Sequence, residues 1–205
     1  VGAQTQKQGR DITGSPTAQR ILEAAKRILS EQGYARLTLQ AVEEESGEYR
    51  ALVAYYFGNK QGLIDAIIES LMDAEDDVLR ERLAGISDPD ERVGALIDEQ
   101  REISADWQGF RAFYELLPHI MRDERLRQVL AADYAKSREL DRQTLAAGQP
   151  ARRDEDLERL AALSVAVVEG LAVQYAADQE RFDHEGTYRL WQDMVLAYLQ
   201  SKREQ

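Results

Sequence analysis

Thr38, Tyr49, Arg50, Tyr55, Tyr56 and Lys60 crowd into one short stretch of this chain, and each carries a group that grips an anion or a base edge. A guanidinium such as that of Arg50 donates a parallel pair of hydrogen bonds. That geometry fits a phosphate, or the guanine edge in a major groove, where such a pair gives about 1–3 kcal/mol of discrimination. Tyr55 offers a hydroxyl to phosphate and a ring to a thymine methyl. Thr38 and Lys60, each at a helix start, would present free backbone N–H groups to a phosphate. The chemistry on offer is recognition of a polyanion rather than bond-making. With no cysteine and only His119 and His184, thiolate catalysis, sulfur-bound zinc and all-histidine metal sites have no ligands to draw on. No G-x-S-x-G, phosphate loop, H-E-x-x-H or calcium-loop spacing occurs, and pairs such as Asp76-Asp77 read as solvation, so no enzyme and no cofactor is expected.

The elements that would position these groups are helices. Ile21, Leu22, Ala25, Ile28 and Leu29 share one helical stripe that Gly33 closes, with Ser15-Pro16-Thr17 as its start. Thr38 caps a short second helix ending at Ser46-Gly47, and a third short helix follows from about Tyr49 to Tyr56. Two short helices joined by a tight, glycine-containing turn lay the second in a DNA major groove. Val53 and Phe57, four apart, pack inward with Leu39 and Val42. Tyr49, Arg50, Ala51, Ala54 and Tyr55 are then left facing outward. Tyr56 is either a phosphate contact or a core ring.

Beyond the head the pattern stays helical. A fourth helix runs from the Asn59 cap to about Leu83, carrying Leu63, Ile67, Ile68, Leu71, Val78 and Leu79 inward. Asp88-Pro89-Asp90-Glu91 starts a fifth. Trp107-Gln108-Gly109 breaks the pattern before an aromatic helix from Phe110 to about Met121, which Pro118 kinks or ends. A long helix from Asp123 stops at Gly148-Gln149-Pro150, and two more span about Asp154–Asp178 and Glu185–Lys202. No alternating run bounded by hairpin turns occurs, so the fold class is all-α, with about nine helices. The expected domains are a flexible tail over 1–14, in which Lys7 and Arg10 are either a basic arm or solvated, a helix-turn-helix head over 15–62, and a helical body over 63–205.

Charge follows the same division. The chain carries 26 Lys and Arg against 38 Asp and Glu, a net of −12, yet residues 1–64 alone come to +1. The acid lies in the body, where it would hold the duplex off while the head docks. Apolar stretches stop short of a membrane span, the longest, Leu160–Val168, ending at Glu169. With no signal peptide, a cytoplasmic protein is expected. The helix from Asp154 is apolar nearly all round, which requires protein on every side. A central helix in a monomer and a helix shared with a second subunit both satisfy that.

The Gly33-Tyr34, Thr38-Leu39 and Ser46-Gly47 pairs, followed by YYFGNKQGLI from Tyr55 to Ile64, resemble the head of the TetR family of bacterial transcriptional regulators. The resemblance implies a ligand-responsive, sequence-specific DNA-binding regulator, a repressor released from a palindromic operator by a small, partly apolar effector. It matches Thr38, Tyr56 and Lys60 to positions that touch the DNA backbone. It further implies a homodimer joined through the last two helices, with Leu163, Val167, Gly170, Leu171, Trp191, Val195 and Tyr198 as candidate interface residues. The effector cavity it implies lies between the fourth and eighth helices, with Trp107, Phe110, Phe113, Tyr114, His119, Met121, Tyr134 and Tyr175 as candidate walls. Ligand would move the fourth helix and change a recognition-helix separation of about 34–36 Å. Glu43, Glu48, Tyr49 and Ala54 depart from the family pattern. Either the acids pair with Arg36 or Arg50 or point to solvent, or the operator is unusual or its binding weak. The alternative function is then an interaction protein that kept the fold and lost its operator.

Overall fold

Most helices in this protein begin on a side chain that accepts a hydrogen bond from its own first turn, so their order follows from local chemistry. The computed structural model describes residues 15–147 and 153–201 and, within them, the side chains of all but 72–77. The 1–14 tail with Lys7 and Arg10, the stop at Gly148-Gln149-Pro150 and the side chains of Asp76 and Asp77 lie outside the described residues. Ser15 caps α1 (Pro16–Gln32), a 3-10 turn follows at Tyr34–Arg36, and Thr38 caps α2 (Leu39–Ser46). Gly47, at φ 72°, closes α2 in the left-handed conformation that glycine adopts without strain. Then come α3 (Arg50–Phe57) and α4 (Lys60–Leu83), the latter capped by Asn59. Gly62 in the first turn of α4 is held against α3: a Cβ there would stand 2.0 Å from the Phe57 carbonyl oxygen.

The body continues with α5 (Pro89–Ala105), α6 (Trp107–Ile120), α7 (Glu124–Ala146), α8 (Asp154–Ala177) and α9 (His184–Gln200), with no strand among the described residues. The recognition helix starts at Arg50, one residue later than expected, because Tyr49 takes the extended cap position. Helix α6 starts at Trp107 rather than Phe110, because the Asp106 carboxylate accepts from Gln108 N and Gly109 N and secures a first turn that the sequence pattern obscures. Pro118 falls in its last turn, and the helix ends at Ile120.

Two apolar cores hold the molecule. The first joins α1, α2 and α3 to the start of α4, to Ala112, Phe113, Leu116 and Ile120 of α6 and to Leu126 and Leu130 of α7. The buried cluster of the head thus runs past residue 62 into the body. The second gathers the end of α4 with α5, α8, α9 and Leu145 of α7. Val78, expected inside, is 45% exposed.

Helix α8 buries Leu157, Leu160, Ala161, Ser164, Leu171 and Ala172 against its own body. Its opposite face leaves Leu163 57% and Val173 47% exposed. One 18-residue window of α8 has a mean hydropathy of 1.6, enough by length and composition alone to cross a membrane. Glu169 interrupts the apolar run of α8 and is hydrogen-bonded to side chains of α6 and α7.

Candidate functional site

On α3, Val53 and Phe57 point into the first core and Leu52 and Tyr56 are half-buried, while Arg50, Ala51, Ala54 and Tyr55 are exposed on one continuous face. Tyr49, just ahead, is 77% exposed. The expected outward set therefore lies together on the surface. Tyr56 is turned toward the head: its hydroxyl accepts from Ser15 Oγ at 2.9 Å, tying the recognition helix to the start of α1. Its ring meets that of Tyr55 edge-on at 5.1 Å, which fixes the Tyr55 ring on the surface.

Three acids of the head are held by partners on α1 and α2. Glu48 accepts from Arg20 Nε and Nη2 at 2.9 and 2.6 Å, and Glu45 from Arg27 Nε at 3.0 Å. Glu44 accepts from Gln40 at 2.9 Å. The sequence suggests solvent, or Arg36 or Arg50, for these acids; Glu48 and Glu45 pair instead with arginines of α1. Arg50 has no ion pair among the described residues. Thr38 is exposed, and its hydroxyl oxygen is used as the cap of α2, accepting from Ala41 N at 3.0 Å.

Lys60 is engaged within the protein. Its ammonium sits 4.0 Å from the centroid of the Tyr34 ring, and Nζ donates to the Tyr34 carbonyl at 3.5 Å. Burial lowers its pKa from the usual lysine value. The His119 ring of α6 also stacks on Tyr34, with centroids 3.5 Å apart and planes at 18°. Two groups that close cannot share one ring face, so Tyr34 is sandwiched. Beside it, Glu115 Oε2 accepts from Tyr34 N at 3.2 Å. Helix α6 thereby holds the head at the 3-10 turn. His119 is a joint residue and not a cavity wall, because α6 turns it toward Tyr34.

The other half of α6 lines a cavity of about 290 Å³ bounded by α1, α4, α5, α6, α7 and α8. Phe110, Phe113 and Tyr134 form its aromatic wall. Tyr114 stands behind that wall, donating to the Glu169 carbonyl at 2.9 Å, and burial followed by the Glu169 charge raises its pKa. The remaining candidate walls lie elsewhere. Trp107 opens α6 at its exposed end, Met121 is 56% exposed beyond its other end, and Tyr175 packs on His184 at 4.5 Å.

Acceptors dominate the polar wall: Glu99, Gln100, Asp106, Asp141 and Glu169, against one cation among the described residues, Lys26 of α1. Glu99 is 5% exposed and its pKa is raised, chiefly by burial; Arg82 Nε lies 2.9 Å away without hydrogen-bond alignment. Gln100 donates to Asp141 Oδ2 at 3.2 Å, while its Oε1 is buried with no partner among the described residues. Tyr134 donates to Glu169 Oε1, and its pKa is raised by burial first and by Glu169 next. None of these acceptors is among the residues that the sequence suggests as cavity walls. The available signal was polar residues on buried helical stripes, Glu99 and Gln100 among Leu96, Ile97 and Ile103, and Asp141 in register with Tyr134 and Ser137.

Between α8 and α9 a shallow groove is lined by Leu160, Leu163, Trp191, Met194, Val195 and Tyr198. Leu163, Leu190 and Met194 are more than half exposed, at 57%, 60% and 57%, and Gly170 has no atom near its Cβ position. Val167 and Trp191 are half-buried, with Trp191 Nε1 unpartnered among the described residues. Two of the expected interface residues belong inside instead: Leu171 and Val195, at 9% and 1% exposure, pack in the second core because α8 and α9 turn those positions toward α5.

Residues 21–67 match the family described as bacterial regulatory proteins, tetR family, and residues 89–200, more than half of the chain, match that described as BetI-type transcriptional repressor, C-terminal. The chain belongs to the TetR family. Among the curated relatives of this TetR-family protein, BetI of Rhizobium meliloti is 29% identical over 188 residues, 88% of each chain. The regulator TtgR of Pseudomonas putida is 28% identical over 202 residues, 89% of this chain and 91% of its own. A transcriptional regulator of Saccharomonospora viridis, solved in complex with choline, superposes with a TM-score of 0.72 at 20% identity, covering 86% of this chain and 94% of that one. One from Pseudomonas aeruginosa superposes at 0.77 with 17% identity, over 93% and 95%. These two likenesses concern the fold. As a TetR-family protein the chain is a ligand-responsive, DNA-binding transcriptional regulator.

Proposed function

We propose that this regulator is a homodimeric repressor that leaves its operator when a small organic cation occupies the body cavity. The observation that carries the effector class is the wall itself. Glu99, Gln100, Asp106, Asp141 and Glu169 line a space walled by Phe110, Phe113 and Tyr134. Carboxylates and aromatic rings together are what a desolvated organic cation requires. Burial raises the cost of charge on Glu99 despite Arg82 at 2.9 Å, and a further cation beside it would lower that cost. The choline complex of the S. viridis protein supports the same class. Arg50, Ala51, Ala54 and Tyr49 with Tyr55 read the major groove, Thr38 lies against the backbone, and Leu163, Trp191 and Tyr198 join two subunits. The working domains are a head over 15–62 and a body from 63 onward. Helix α6, walling the cavity with one half and gripping Tyr34 with the other, carries occupancy to the head.

The test is a titration against an operator selected from a random duplex pool. Choline chloride should release the operator. Its uncharged isostere 3,3-dimethylbutan-1-ol should act at least about tenfold more weakly, in line with roughly 1.4 kcal/mol or more from the charge. Glu99→Gln should narrow that difference. Equal potency of the two compounds, or no release by either, overturns the proposed effector class.

A further inference from the structure

The exposed face of α3 has an unusual composition for a surface that discriminates among bases. Its residues are Arg50, Ala51, Ala54 and Tyr55, with Tyr49 at its head. It has no amide side chain for the paired donor and acceptor edge of adenine and no carboxylate to accept from cytosine. Of the acids just before it, Glu48 is paired with Arg20 and Glu45 with Arg27, both of α1. One guanidinium is therefore the only paired donor.

What remains is apolar and shaped. Ala51 and Ala54 are three residues apart, so their methyl groups lie side by side with no longer side chain between them. Tyr49 and Tyr55 stand at either end, 77% and 51% exposed. The Tyr55 ring is braced edge-on by Tyr56, which is in turn held by Ser15 Oγ. In the major groove one base feature is apolar, the thymine C5-methyl. A pair of alanine methyls lets the helix approach closely enough to bury such groups, and fixed rings at the ends limit where they lie.

We propose that this regulator reads its half-site chiefly through thymine methyl groups packed on Ala51 and Ala54, with Arg50 assigning a single guanine. This rests on the reading of α3 as the base-contacting helix. It makes the operator a T-rich half-site with one strongly specified G·C pair, and it makes Ala51 and Ala54 specificity-determining through their small size.

Deoxyuridine provides the probe, since it differs from thymidine only by the missing methyl. Each thymine of the selected operator is replaced in turn, symmetrically in both half-sites, and binding is followed by fluorescence anisotropy at fixed salt. For the wild type, replacement at two neighbouring thymines should weaken binding by about fourfold per methyl lost, the value of one buried methyl group. Ala54→Ser and Ala51→Ser, which keep the helix, should each lose the sensitivity at one of those thymines and retain it at the other. Arg50→Ala should flatten the preference at one G·C pair and leave the deoxyuridine pattern in place. If no thymine responds, or if both serine variants keep the wild-type pattern, the methyl readout is overturned while Arg50→Ala still reports α3 as the reading helix. If Arg50→Ala changes neither affinity nor preference, the assignment of α3 falls as well.

Discussion

His184 shows how a single buried group in this protein ties stability to pH. Its ring lies among Tyr175, Phe182 and Tyr188, and Nε2 is 2.8 Å from Ser104 Oγ. The Ser104 hydroxyl proton points to the Arg101 carbonyl at 3.0 Å, so the neutral imidazole donates to it through Nε2. Burial first, and the Arg101 charge next, lower the His184 pKa below its ordinary value near 6.5. The unfolded chain then takes up the proton more readily than the folded one. The contribution is fully present above about pH 6.5 and is lost as pH falls below it. Urea unfolding of the wild type at pH 7 and pH 5 should show a lower midpoint at pH 5. His184→Gln keeps a donor toward Ser104 and should lose measurably less of its midpoint between the two; an equal loss would show that carboxylates alone set the dependence.

At the scale of elements, α6 is the piece on which the regulatory reading depends. Its first half walls the cavity with Gly109, Phe110 and Phe113, and its second half holds Tyr34 through Glu115 and His119. A 14-residue helix is about 21 Å long at 1.5 Å per residue and moves as one body, so displacement at one half reaches the other. The double variant Glu115→Gln/His119→Ala should fold and bind the operator within about threefold of wild type. The effector-induced drop in operator affinity, of about 5- to 150-fold in systems with ordinary coupling, should shrink toward unity. Undiminished release by choline, measured on the same operator, would place the coupling in α4 alone. The elements themselves were largely legible in the sequence, because Ser15, Thr38, Asn59, Asp88 and Asp123 each cap a helix from within their own turn. The start of α6 was not, since Trp107-Gln108-Gly109 has poor helix propensity and only the Asp106 carboxylate stabilises it. The joint and the cavity were less legible still. The 81 residues that separate Tyr34 from Glu115, and the 28 that separate Arg20 from Glu48, are distances over which no local pattern acts.

For the molecule as a whole, the bare face of α8 and α9 and the uneven charge point to the same assembly. Leu163, Leu190, Met194 and Tyr198 stand exposed, and the two-fold pairing proposed above would bury them on themselves. The pairing carries a functional consequence. One head makes a modest set of contacts, and the second head binds at the effective concentration that the body imposes, multiplying affinity by about 10²–10⁴. A chain of net charge −12 whose residues 1–64 come to only +1 gains little from nonspecific attraction to DNA, so this gain is needed more here than in a basic protein. Leu163→Glu/Met194→Glu changes exposed positions and should leave the helical content intact. Sedimentation should then give a monomer where the wild type gives a dimer, and operator affinity should fall by about 10²-fold or more, with binding to an isolated half-site unchanged. A variant that remains dimeric would place the subunit contact on another face. A monomer with full operator affinity would mean that one head alone supplies the binding, and the coupling of two heads through α6 would lose its purpose.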